Sequence, residues 1–564
     1  MAREIVFAAL GLLASYLYFN LYNRRFRKFS HIPQFPPSLL WGHLRVFGEF
    51  MKRGHEDRHP DAIFDDMSEA LGRPPIMLVD MWPLAQPLIL VSDHEVAEQI
   101  TKPTKQFPTG TPKTIQGVPY LGDTSIITAV GEEWKGLRKR FAPGFAPQHL
   151  MTLLPNIVHE ANVLVETLEK YAHTGEEFSL VNSITNMTFD VIGSVVIGIN
   201  LDAQSSGEQS ELLKLYSELL VTYQDDKYDM PWWMQPRVHV RRKRVARQID
   251  LLLHEIVRRK WTERQQHQHH TESEEKGKKD RAILSLSFGE FPSQPFLPDE
   301  IVATTADQLK SFLFAGYDTT STTISWLLYE LSRHPHALAA VRAELGSIFG
   351  VNATVGEIQQ QLLAPISSGD SGSGTGTELG RHPLQRMPYI SAAIKETLRH
   401  HPPVGIARRT PSGAGWSVRT STPPGKEGQE INIDEAQVYV CIDMIQHDPR
   451  VYGETVQHWR PERWLNPDGT KEIPPSAWRA FERGPRACIG LELAQIEMKV
   501  VVALTATRFD FWKVGLGEPL LEKGVPKVGG DGGFVVGEKL YVVSFFSICF
   551  HVSLGGVNFE TNTY

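Results

Sequence analysis

The ten residues 481–490, FERGPRACIG, decide how this chain is read. They hold Cys488, one of three cysteines in 564 residues, in a run that also carries two arginines and three glycines or prolines. The segment that follows, IGLELAQIEMKVVVALTATRF, is strongly apolar. Glu492, Gln495, Glu497 and Lys499 interrupt its first half, so it predicts a buried helix and not a membrane span. Cys488 then stands at a helix N-terminus, where unpaired N–H groups and the helix dipole favour the thiolate. Gly484 and Gly490 permit a tight turn and the close approach of something flat. Arg486 offers a forked donor to a carboxylate. A lone cysteine is most often a packed thiol. Here the neighbours argue for an axial sulfur beside a carboxylate clamp, which is the donor set a haem requires.

The rest of the chain bounds the alternatives. A net charge of −7 argues against nucleic acid as the general partner, and 41% hydrophobic with 22% charged residues is ordinary for a globular protein. Cys441, Cys488 and Cys549 cannot build a disulfide framework and point to a reducing compartment. The tract QQHQHH, 265–270, reads as a solvated loop and not a metal site. At the N-terminus, IVFAALGLLASYLYFNLY (5–22) is apolar except for Asn20, and Arg24, Arg25, Arg27 and Lys28 follow it directly. Basic residues after the apolar run mark an uncleaved anchor with the body on the cytoplasmic side. HIPQFPP (31–37) reads as a stiff spacer.

Two short strands are expected in IMLVDMWPLAQPLILVSD from residue 76. Helical periodicity then dominates over 149–172, 177–198, 209–224, 240–264, 299–334 and 336–348, with a Gly/Ser loop at 367–380. The fold class is mainly α with a minor β-sheet portion, one large domain behind the anchor. The basic run RVHVRRKRVARQ (237–248) reads as a polar helix face; contact with an anionic membrane, helped by Trp232 and Trp233, is the sharper alternative.

The pattern Phe481, Gly484, Arg486, Cys488, Gly490 resembles the haem loop of the cytochrome P450 superfamily. Three further stretches agree. KETLR sets Glu396 and Arg399 three apart on one helix face, and WRPERW supplies Arg463, which the resemblance implies joins them in a buried structural network. FLFAGYDTTS (312–321) is similar to the family's oxygen-activating helix; it implies room at the haem face at Gly316, proton relay by Asp318 and a hydrogen bond to oxygen from Thr319. A run of Asp, Thr and Ser inside a helix breaks local propensity, as functional segments often do. EEWKGLRKRF is similar to the helix whose tryptophan and arginine, here Trp134 and Arg138, contact a haem propionate. In HPPVGIARRTP either Arg408 or Arg409 takes the other propionate, and the sequence leaves the two open.

The resemblance implies a cytochrome P450 fold over 46–543, behind a transmembrane anchor (1–22) and a basic, proline-rich linker (23–45). It implies haem (iron protoporphyrin IX) with Cys488 as the thiolate ligand to iron. The expected activity is that of a monooxygenase oxidising a lipophilic small molecule with O2, as in fungal secondary-metabolite tailoring. No nucleotide fingerprint is present, so electrons come from an NADPH-cytochrome P450 reductase on the same membrane, the endoplasmic reticulum, with the catalytic domain cytoplasmic and a single span. Arg479 and Arg483 are candidates for a positive face toward that reductase. Substrate contacts are expected in 106–128, 223–236, the oxygen helix before Ala315, and 403–408, through Phe107, Ile115, Tyr120, Trp232, Leu313, Phe314, Val404 and Ile406. A haem-thiolate isomerase or dehydratase and a non-catalytic haem sensor are the rivals; the intact Asp318–Thr319 pair speaks against the first. Two departures stand out. LRHHPPVG has His400 and His401 where an apolar residue is usual, read as a packing change. Residues 544–564 form an atypical tail, to which no function is assigned and for which an intron read as protein is one explanation.

Overall fold

The computed structural model describes residues 2–54, 59–102, 118–205, 210–225, 232–270, 280–291, 295–364, 382–409, 415–420, 428–465, 472–537 and 549–554. The expected Gly/Ser loop at 367–380, together with Phe107 and Ile115, lies outside them. In chain order the principal helices are α1 (Ala2–Asn23), α2 (Gly131–Phe141), α3 (Pro147–Thr174), α4 (Leu180–Ile192), α5 (Glu211–Gln224), α6 (Pro236–His270), α7 (Asp299–Arg333), α8 (Pro335–Phe349), α9 (Pro388–His400) and α10 (Leu491–Thr505). The strands used below are β1 (Ile76–Val79), β2 (Leu88–Val91), β3 (Phe178–Ser179), β4 (Ile406–Arg409), β5 (Gln437–Val440), β6 (Phe509–Lys513) and β7 (Cys549–Leu554).

The chain forms two compact units. The first combines residues 1–112, 404–453 and 473–487 around a four-stranded sheet in the order β1-β2-β5-β4. β2 runs parallel to β5, so these strands come from segments far apart in sequence. Ile76, Leu78, Ile89, Val91, Val438 and Val440 alternate onto one face and build its core.

The second unit, 113–403, 454–472 and 488–564, is helical. α7 is its central element: from Val302 to Leu331 most of its side chains are buried. Its small sheet has the order β3-β7-β6, both pairings antiparallel. β7 belongs to the tail that the sequence left without a role. Its backbone pairs Phe550 through Leu554 with Lys513 back to Phe509.

Two sequence expectations are corrected here. The tract 265–270 is no loop: α6 continues through His270, because glutamines add turns to an existing helix at little cost. The basic run is not simply a solvated face. Arg242 is 2% exposed and donates to the Thr222 carbonyl at 2.7 Å, docking α6 on α5.

Candidate active site

Cys488 immediately precedes the turn into α10, with Gly490 at its N-cap. The thiol keeps accessible surface, yet it is deep enough that desolvation dominates and raises its pKa. Opposing that, the N–H groups of Gly490 and Leu491 and the charge of Arg138 all favour the thiolate. The helix terminus thus acts on the sulfur in the expected direction and is outweighed by burial. An accessible sulfur surrounded by groups that prefer it ionised fits a metal ligand, since a coordinated thiol is deprotonated outright. Trp134 and Arg138 lie one turn apart on α2, each half-buried.

α7 carries the Asp-Thr-Thr-Ser run. Its propensity problem is resolved locally: Thr319, Ser321, Thr323 and Ser325 each donate back to a carbonyl three or four residues earlier, Thr319 to Ala315 at 2.7 Å. Asp318 has no such bond. It lines a cavity of about 240 Å³ formed by α4, α5 and α7, with Asn182, Thr185, Tyr216 and Ser321 among its walls. Desolvation pushes its carboxyl up to about 6. The buried Tyr317 hydroxyl on the same cavity makes no hydrogen bond among the described residues. Gly316 packs against α4. A Cβ there would lie 2.9 Å from Ile192 Cγ1 and closer still to its Cδ1, so the absent side chain leaves room for α4 to pack closely on α7.

Glu396 is fully buried and collects donors from four directions. Arg399 forks onto it at 3.0 and 2.9 Å, Arg463 reaches it at 3.3 Å, the Trp464 indole at 2.8 Å and the Arg460 N–H at 3.0 Å. With His400, these cations and donors hold its carboxyl well below the usual range despite burial. Arg463 also donates to the Thr455 carbonyl at 2.8 Å, fastening the segment 455–464 to α9. Sequence reading missed Trp464, and it misread the two histidines. His400 faces Glu396 at 3.6 Å, and His401 binds Glu330 of α7 at 2.8 Å. The doubled histidine beside a Glu/Arg motif was the available signal.

In the first unit, Arg486 is lowered to about 10 by burial and by the like charge of Arg408. Two guanidinium groups brought together in a desolvated place call for an anion, as a haem propionate would be. Arg408 is buried, with Glu482 at 3.9 Å. The side chain of Arg409 lies outside the described residues; its backbone pairs with Gln437. Gly484 adopts φ +81, and a Cβ there would collide with the Thr101 carbonyl, so its role is packing of the loop. Gly490 differs: a Cβ would meet only the Cys488 sulfur, at 3.8 Å. Phe481 is half-buried, 6.1 Å from Trp478. Arg479 offers no positive face. It is fully buried and spent on Glu98 at 3.0 Å, Thr101 at 2.7 Å and Glu482. Arg483 also pairs with Glu98.

Of the expected substrate residues, the Tyr120 ring is tilted against Phe314 at 4.5 Å and meets Tyr223 edge-on at 4.8 Å. Leu313 is fully buried, Ile406 packs against the sheet core, and Val404 and Trp232 are exposed.

The fold and these residues define a haem-thiolate protein. The cytochrome P450 family model matches residues 36–544, and the chain belongs to that family. It is 29% identical over 476 residues to cytochrome P450 monooxygenase acrF of Aspergillus aculeatus, covering 81% of this chain and 88% of that one. It is 26% identical to cytochrome P450 monooxygenase polC of Polytolypa hystricis, over 87% of this chain and 84% of the relative. A 25% identity links it to cytochrome P450 4V2 of Rattus norvegicus, over 77% and 76% of the two chains. The chain is a cytochrome P450 monooxygenase with a haem cofactor on a cysteine ligand. Its N-terminal apolar helix, exposed along its length, suits membrane association.

Proposed function

We propose that this enzyme inserts one atom of O2 into a lipophilic small molecule, in a tailoring step of fungal secondary metabolism. An NADPH-cytochrome P450 reductase supplies the electrons. The chain is held by a single N-terminal span, with its body on the cytoplasmic face of the endoplasmic reticulum. The fungal relatives and the apolar residues Tyr120, Leu313 and Phe314 support the substrate class; the basic residues after the apolar helix support the orientation.

Bound haem supplies the oxygen-activating and oxygen-inserting chemistry. Cys488 provides the thiolate, and Arg138, Arg486 and Arg408 provide cations for the propionates. Trp134 lies beside Arg138 on its helix. The Glu396–Arg399–Arg463 network takes no part in the chemistry and fixes the loop segments. The observation that carries the reading is Asp318: its carboxyl, pushed up to about 6 by burial and lining the cavity between α4, α5 and α7, both holds and releases a proton near neutral pH. Asp318 and Thr319 together make the proton-delivery pair of the reading; the Thr319 hydroxyl donates to Ala315 in the resting helix and its oxygen can still accept. Aromatic contacts of Tyr120 with Phe314 and Tyr223 exclude water from the substrate side.

The test is the carbon monoxide difference spectrum of the reduced holoenzyme, with turnover measured alongside. Cys488→Ser should lose the thiolate-type Soret band. Thr319→Ala should keep the band while NADPH consumption continues without product. Normal turnover by the serine variant would overturn the site.

A further inference from the structure

The foot of the anchor carries a polar cleft that the reaction does not use. The apolar side chains of α1, such as Ile5 and Leu12, are exposed at 67% and 74%. Its last turn and the π-helical turn that follows it, Arg24–Lys28, change character. Asn20, Arg24 and Lys28 recur every fourth residue and, with Asn23, Gln86 and Glu435, line a cleft of about 370 Å³. We propose that this cleft binds the headgroup of an aminophospholipid, with its phosphate on Arg24 and Lys28 and its ammonium on Glu435. The proposal rests on the reading of α1 as a membrane anchor.

The cleft has fixed walls. Arg25, next to Arg24 on the chain, turns into the body: it is 2% exposed, pairs with Asp80 and donates to the Leu40 carbonyl at 3.2 Å. Gly42, at φ +52, lacks the Cβ that would clash with that guanidinium. The anchor is thereby clamped to the sheet unit, and the segment after it is no free tether. On one wall Arg24 donates to Gln86 Oε1 at 3.2 Å and lies 5.2 Å over the Trp82 ring. On the other, Glu435 pairs with Lys28 from a turn where its φ is +59, a strained conformation for a residue with a side chain.

The charges choose the ligand. Two cations and one carboxylate in a single cleft suit a molecule that carries a phosphate and a hydrogen-bonding ammonium together. A purely anionic headgroup would meet Glu435 with like charge, and a trimethylated ammonium has no proton to donate to it. The amides of Asn20, Asn23 and Gln86 can serve ester and phosphate oxygens. Position chooses the source: residues directly after an apolar span stand at headgroup depth, where lipid phosphates lie.

The test uses the full-length holoenzyme reconstituted with equimolar phosphatidylcholine, phosphatidylethanolamine and phosphatidylglycerol, followed by native mass spectrometry of the lipid retained. The expected result is one phosphatidylethanolamine per chain, preferred about tenfold over either competitor. Arg24→Gln with Lys28→Gln should abolish retention. Glu435→Gln, a mild exposed change, should move the preference to phosphatidylglycerol. An inserted protein that retains the three lipids equally, or a Glu435→Gln variant with unchanged preference, overturns the site alone. Displacement by millimolar inorganic phosphate would make it a site for soluble phosphate and overturn the lipid assignment. A chain that fails to float with vesicles overturns the anchoring reading and the site with it.

Discussion

His401 donates from Nε2 to Glu330 Oε1 at 2.8 Å while its ring lies flat on Trp326, 3.7 Å between centroids and parallel to it. Glu330 is on α7, three turns beyond Asp318, and His401 directly follows α9, which carries Glu396 and Arg399. The two adjacent histidines therefore serve two buried carboxylates, His400 at Glu396 and His401 at Glu330. The same Glu330 receives Arg333 at 3.4 Å and has His334 Nδ1 at 3.5 Å.

Replacing His401 by leucine leaves part of a buried carboxylate unpaired and should cost about 2 kcal/mol. The hydrogen bond from His401 and the charges of Arg333 and His334 hold Glu330 down at about 2 against desolvation. A depressed carboxyl adds stability that is fully present above its unfolded pKa, roughly 4.3, and is lost as pH falls toward 2. Acid-unfolding curves of wild type and Glu330→Gln should differ in slope across that window and run parallel above pH 5.

Asp318 has the opposite sign. Its carboxyl pKa of about 6 lies above the unfolded value, so ionisation costs stability as pH rises from about 4 to 6, and the cost persists above that. Asp318→Asn should gain about 2 kcal/mol at pH 8 and nothing at pH 4, read from thermal melts. The same variant should lose roughly 10²-fold in product formation. Equal stabilisation at both pH values would sink the titration argument.

Gly316→Ala tests the helix contact. The new methyl meets Ile192, and overpacking should cost about 1–3 kcal/mol. Adding Ile192→Ala should recover most of that in a double-mutant cycle of denaturant midpoints. A haem-face role for Gly316 predicts no such rescue and a shifted Soret band instead.

Deleting residues 544–564 removes β7 from between β3 and β6 and leaves both neighbours with unpaired edges. The truncated enzyme should express with less bound haem and melt lower than the full chain. A truncated form that binds haem better than the full chain would show the tail to be foreign to the fold.

The sequence determined the family, with its haem cofactor, and the large helices, because these rest on local pattern. A cysteine framed by Phe481, Gly484, Arg486 and Gly490 is legible at a glance, and helical periodicity placed α7 within a residue of its bounds. Which groups meet, and what burial does to them, only the tertiary structure decided. The helix-terminus argument for Cys488 has the right direction, yet desolvation by burial outweighs it. Nothing in the spacing along α7 announced that Gly316 meets Ile192 of α4. Arg479 looked like surface charge until Glu98, 381 residues earlier, was found beside it. His400 and His401 looked like packing changes, and the carboxylate that explains the second lies 71 residues away. Spacing along a chain fixes short-range geometry, whereas desolvation and long-range pairing depend on which elements fold together, and those contacts set the chemistry of each side chain.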